Sequence, residues 1–70
     1  MRYFFHVTNG SITLKDEVGQ DLFSLDAVKA QAGVVATELA QDDGYEGWTV
    51  RVVDNHGKEV MHFHVPRRTA

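Results

Sequence analysis

The sequence predicts an α+β domain of β-β-α-β-β order, a four-stranded antiparallel sheet with one helix packed on one face. Asn9-Gly10 and Asp54-Asn55-His56-Gly57 each separate two runs of period-two apolar alternation, as hairpin turns do. Between these hairpins lies one stretch of helical periodicity with a serine at its head.

The first strand is expected over residues 3–8, where Tyr3, Phe5 and Val7 alternate with Phe4, His6 and Thr8. Aromatic and β-branched residues at this period suit a pleated, half-buried surface. Asn9-Gly10 favours a two-residue type I′ turn, because both of its positions need positive φ. That turn pairs Thr8 with Ser11, which sets the apolar pairs Val7–Ile12 and Phe5–Leu14 on one face. His6–Thr13 and Phe4–Lys15 then share the other face. Asp16-Glu17-Val18-Gly19 reads as the turn that ends the second strand.

Ser24 is the expected N-cap, Asp26 complements the helix dipole, and Phe23 with Val28 could form a hydrophobic staple. Leu25, Val28, Ala32, Val35, Ala36 and Leu39 make one apolar stripe, and the helix should end near Gln41, before Asp42-Asp43-Gly44. Gly33 within it fits either a close helix–sheet contact or an exposed neutral position.

Trp48, Val50 and Val52 alternate with Thr49, Arg51 and Val53 as a third strand, and residues 60–65 form the fourth. Two registers compete in this last hairpin. A four-residue loop pairs Val53 with Lys58, Val50 with Met61 and Trp48 with Phe63. A type I turn with Gly57 in a bulge pairs Val52 with Val60 and turns His62 and His64 inward. The first is favoured, since buried imidazoles would need partners. The expected strand order is second, first, third, fourth, around a core of Phe5, Val7, Ile12, Leu14, Val28, Ala32, Val35, Leu39, Trp48, Val50, Met61 and Phe63. Residues 1–65 form the single domain, and 66–70, beyond the ladder-breaking Pro66, form a flexible tail.

Composition bounds the function. Seventy residues allow one core, and an apolar fraction of 43% with 24% charged residues is that of a globular chain. The absence of cysteine removes disulfides and thiolate metal sites and favours a reducing, cytoplasmic home. No apolar run reaches the length of about 18 residues that a membrane span needs, and the start is too polar for a signal peptide. A net charge of −3 disfavours nucleic acid, where a basic stripe supplies most of the affinity.

No catalytic residue is expected. Asp16, Glu17, Asp21, Asp42 and Asp43 lie in loops without a partner base, and no nucleophile elbow, phosphate loop or zinc-protease motif occurs. Ser11 and Ser24 read as a turn residue and a cap. His62-x-His64 on a strand offers two ligands, and His6 lies on the same face two strands away, about 10 Å. One chain is therefore expected to hold no metal and no cofactor, although a dimer could bring His62 and His64 of two subunits together. The uncovered sheet face is the candidate working surface, with Phe4, His6, Arg51, Val60 and His62 as its patch. Such a face suits a protein partner or self-association. The alternative is a regulatory nucleic-acid-binding or antitoxin-like role through that face or the Arg67-Arg68 tail.

Arg2-Tyr3-Phe4-Phe5-His6-Val7, the Asp16-x-x-Gly19 turn, Leu22, the capped alanine-rich helix, Trp48 and the Asp54-x-x-Gly57 hairpin together carry a resemblance. The chain resembles, over nearly its whole length, a family of small proteins common in α-proteobacteria, notably rhizobia, classed as a domain of unknown function. The resemblance implies a bacterial cytosolic origin and transfers no catalytic residue. The chain departs from that family in having Phe23 where a proline precedes the N-cap, in a helix with less Arg and Glu, and in its basic tail. It is also distantly similar to the sheet-plus-helix antitoxins that neutralise RNA-cleaving toxins, but lacks the third strand expected before the helix.

Overall fold

The computed structural model describes residues 1–66. Strands β1 (Arg2–Thr8), β2 (Thr13–Leu14) and β3 (Gln20–Asp21) precede helix α1 (Leu25–Ala40). A 3-10 turn at Asp43–Tyr45, β4 (Thr49–Asp54) and β5 (Glu59–His64) follow. All pairings are antiparallel, in the order β2-β1-β4-β5. The α+β class, the strand order and the single helix are as the sequence predicts. The additional strand is β3, which pairs Arg2 with Asp21 and Tyr3 with Gln20. The expected tail at Arg67-Arg68-Thr69-Ala70 lies outside the described residues.

The first edge of the sheet is thus made in two pieces. β2 covers the end of β1, β3 covers its start, and the Asp16–Gly19 turn lies between them. The Asp16 side chain bridges the gap: its carboxylate accepts the amide of Phe5 at 3.2 Å, of Val18 at 3.1 Å and of Gly19 at 3.0 Å. A side chain here takes the place of a ladder carbonyl. Gly19 has φ +74°, and a Cβ there would lie 2.8 Å from Cε2 of Phe4 and 2.9 Å from Cγ of Arg2. Only glycine lets the chain pass this close beneath the Phe4 ring.

The first hairpin corrects the expected pairing. Val7 pairs with Leu14 and Thr8 with Thr13, two residues further along than a two-residue turn gives. Asn9 Oδ1 accepts the amides of Ser11 and Ile12, and Asn9 donates its own amide to the Ile12 carbonyl. This side-chain-closed loop takes the place of the I′ turn. Ile12 falls within it, 55% exposed, and Leu14 is 44% exposed, so neither joins the core.

Ser24 caps α1 as expected, its Oγ accepting the Ala27 amide at 3.1 Å. The helix rests on β4 and β5, which leaves the inner face beside β2 uncovered. Val28 and Ala32 are buried against Val50, Val52 and Val65, with Tyr3 and Phe5 closing the core, and Ala36 is buried further along the helix. Val7, Val35, Leu39, Trp48, Met61 and Phe63 are only partly buried around it. Tyr3, Val52 and Val65 belong to the core although the sequence reading leaves them out. Leu25, placed in the stripe by its spacing, is 57% exposed, and Phe23 is fully exposed, so the staple does not form. Gly33 is exposed with no atom near its missing Cβ, which settles its two readings in favour of the neutral position.

The last hairpin follows neither expected register. Asp54 closes its turn by accepting the amides of His56 and Lys58 on Oδ1, and Gly57 takes φ +82°. Val53 pairs with Glu59, and a bulge at Val60 then shifts the ladder so that Val52 pairs with Met61 and Val50 with Phe63. Two one-residue shifts add to two, which restores the original parity. Met61, Phe63 and Val65 therefore face the helix, and His62 and His64 face out, as the favoured register requires. The individual partners are displaced by one residue at Val53 and by two beyond the bulge.

Candidate interaction surface on the uncovered sheet face

The strand registers set the outer face in rows, since directly opposed residues share a face. Phe4, Val53 and Glu59 form one row; His6, Arg51 and His62 the next; Thr8, Thr49 and His64 the third. Of the expected patch, Phe4, His6, Arg51 and His62 are brought together on this face. Val60 is not. The bulge turns it inward, where it packs beside the core. Glu59 occupies the outer position in its stead. The expected outer pairs His6–Thr13 and Phe4–Lys15 do not form, because β2 starts at Thr13 opposite Thr8.

Each polar group of the rows is held by a neighbour. His6 Nδ1 accepts the Asp16 amide at 3.0 Å, which places its ring proton on Nε2 in this arrangement. The His6 and Phe4 rings lie nearly parallel, with centroids 6.4 Å apart. Arg51 Nε donates to Glu59 Oε1 at 2.6 Å, and His62 Nδ1 donates to Glu59 Oε2 at 3.3 Å. The Arg51 guanidinium, aided by His62, holds the Glu59 carboxyl below its ordinary pKa. His64 Nδ1 lies 3.1 Å from Thr49 Oγ1, and the rings of His62 and His64 meet edge to face at 5.9 Å. The Nε2 atoms of His62 and His64 take no part in these bonds.

Three of the carboxylates expected in loops, Asp16, Asp42 and Asp21, serve the fold. Burial raises the Asp16 pKa, but the amides of Gly19, Phe5 and Val18 outweigh it and bring the net value below the ordinary carboxylate range. Asp42 Oδ1 accepts the Gly44 amide at the 3-10 turn, and Asp21 pairs with Arg2 at 3.0 Å. No group of three or more metal-binding side chains and no pocket is found among the described residues. No helix among them is long and apolar enough to cross a membrane.

Sequence reasoning missed Glu59 as the centre of the outer network. Simple alternation puts Glu59 and His62 on opposite faces, and only the bulge brings them together. It also missed the role of Asp16 as the partner of β1, for which the Asp-x-x-Gly spacing was the available signal.

Residues 2–66 match the family described as Domain of unknown function (DUF6894). No curated protein and no solved structure matches the chain.

Proposed function

We propose that this chain, which belongs to the DUF6894 family of domains of unknown function, is a non-enzymatic protein-interaction module working in the cytoplasm of a bacterium. The α-proteobacterial lineage that its sequence resembles is the source proposed for it. The working surface is the uncovered face, centred on Arg51 and His62 with Phe4 and His6 beside them.

One observation carries this reading. The row His6–Arg51–His62 spans three strands in register, and its side chains are fixed by Asp16 and Glu59. Groups ordered before contact lose less entropy when a partner binds. Ser24, Asp16 and Asp42 are occupied in caps and turns, and Asp21 in an ion pair with Arg2. Arg51 is already neutralised by Glu59, which favours a protein over nucleic acid as the partner.

The test is retention of host-cell proteins on the immobilised chain, with Arg51→Glu/His62→Ala as the surface variant and Val34→Glu as a control on the exposed helix flank. The expected result is a protein held by the wild type and the control, insensitive to nuclease, and lost by the surface variant. Equal retention by the surface variant, or retention abolished by nuclease, would overturn the proposal.

A further inference from the structure

We infer that β5 is a self-association edge, and that two copies of the chain paired along it bind one zinc-type divalent ion through His62 and His64 of each. The inference rests on the proposed interaction face and names a second copy as its partner.

The geometry starts at the backbone. Among the described residues β5 pairs with β4 alone, so its far edge carries free N–H and C=O groups. Val65 donates its amide to the Trp48 carbonyl at 2.7 Å. Alternation along an antiparallel ladder then turns the backbone groups of Phe63 and Met61 toward β4, and those of His62 and His64 toward the free edge.

A second β5 added antiparallel about a two-fold axis at Phe63 sets His62 of each copy opposite His64 of the other. The free backbone groups of these residues meet as two hydrogen-bonded pairs. The register is selected from both faces. On the inner side it places Phe63 against its own copy and Met61 opposite the buried Val65, covering the half-buried Met61 and Phe63 at the edge of the core. On the outer side it gathers four imidazoles, with opposed Cβ atoms about 5 Å apart. A slip by one residue would put imidazoles against Phe63 and send the two helices to opposite faces.

The imidazoles are arranged as ligands. Two rings bound through Nε2 to one tetrahedral zinc at about 2.05 Å have centroids about 5 Å apart, and those of His62 and His64 stand at 5.9 Å. Metal-bound histidine commonly donates its other ring N–H to a carboxylate or similar acceptor. His62 Nδ1 has Glu59, and His64 Nδ1 has Thr49 Oγ1 to accept its proton. A single chain supplies two ligands, and the two-fold axis completes four. His6 has no place in the site, because Arg51 stands between it and His62.

The experiment is mass determination by light scattering on the full chain, first in chelator and then with zinc chloride added in steps. Expected are a doubling of mass that saturates at half an equivalent of zinc per chain, and slowed amide exchange at His62 and His64. His62→Ala and His64→Ala, both at exposed positions, should each abolish the zinc response, and His56→Ala in the exposed turn should preserve it. Zinc saturating at one equivalent without a change of mass, no response to zinc, or a dimer indifferent to both substitutions would overturn the inference. If it is overturned while Arg51→Glu/His62→Ala still loses a host protein, the interaction face stands and only the second copy is wrong. If both tests fail, the face itself is wrong.

Discussion

Asp16→Ala tests whether a side chain has replaced a strand. The carboxylate accepts the amides of Phe5, Val18 and Gly19, and among the described residues no strand pairs with that edge of β1 between β2 and β3. A hydrogen bond to a charged group contributes about 1.5–3 kcal/mol net when its donor is shielded from water. The Val18 amide is at the surface and regains water readily, while those of Phe5 and Gly19 are part-buried. Discounting both of the latter for partial access gives a loss of about 2–3 kcal/mol. A domain of this length has a total stability of about 4–10 kcal/mol, so the variant should stay folded with a much smaller margin. Urea unfolding followed by tryptophan fluorescence measures this through the single Trp48. At a slope of about 1 kcal/mol per molar urea, the midpoint should fall by about 2 M or more with an unchanged slope. Amide exchange at Phe5 should quicken more than at Val52. A midpoint within about 0.5 M of wild type, or unaltered exchange at Phe5, would refute the argument that Asp16 completes the edge of β1.

The same carboxylate sets an acid limb. Its folded pKa lies below the ordinary 3.8, so its stabilisation is present above about that pH and is lost as pH falls through the folded value. Asp16→Asn should flatten the fall in melting temperature over that window, and an unchanged profile would contradict it. Gly19→Ala forces a left-handed backbone and pushes the Phe4 ring, and should cost about 2–3 kcal/mol by urea titration. Gly33→Ala meets open space on a helix and should stabilise by about 0.5–1 kcal/mol, seen as a higher melting temperature. Trp48→Ala removes a half-buried ring set edge to face on Tyr45 at 5.1 Å and should cost about 2–3 kcal/mol by thermal melting.

The sequence by itself determined which side of β1, β2 and β4, and of β5 beyond its bulge, faces the helix. Apolar residues alternate with polar ones, and the cost of burying His62 or His64 exceeds that of exposing them, so parity follows from composition. It also determined the capped helix, the strand order and the location of both hairpins, because Asn-Gly, Asp-x-x-Gly and Ser24 act locally. The candidate face was legible to the same extent, with Phe4, His6, Arg51 and His62 in place on it.

Tertiary structure alone decided the register. The first hairpin slides by two residues from the pairing its turn suggests, and the second does so beyond its bulge; a slide of two leaves the faces of those residues unchanged, with only Glu59 and Val60 exchanged. Hydrophobic pattern is blind to such a shift, so the choice passes to bonds between groups distant in sequence. At the first hairpin Asn9 and Thr8 close a longer loop, and Asp16 then ties the chain to Phe5. At the second, the Asp54 turn and the Val60 bulge fit β5 to β4 while keeping Met61 and Phe63 under the helix. That bulge turned Val60 toward the core's edge and brought Glu59 to Arg51 and His62. Period-two alternation contains no term for the extra residue, and only packing against the helix makes its insertion favourable.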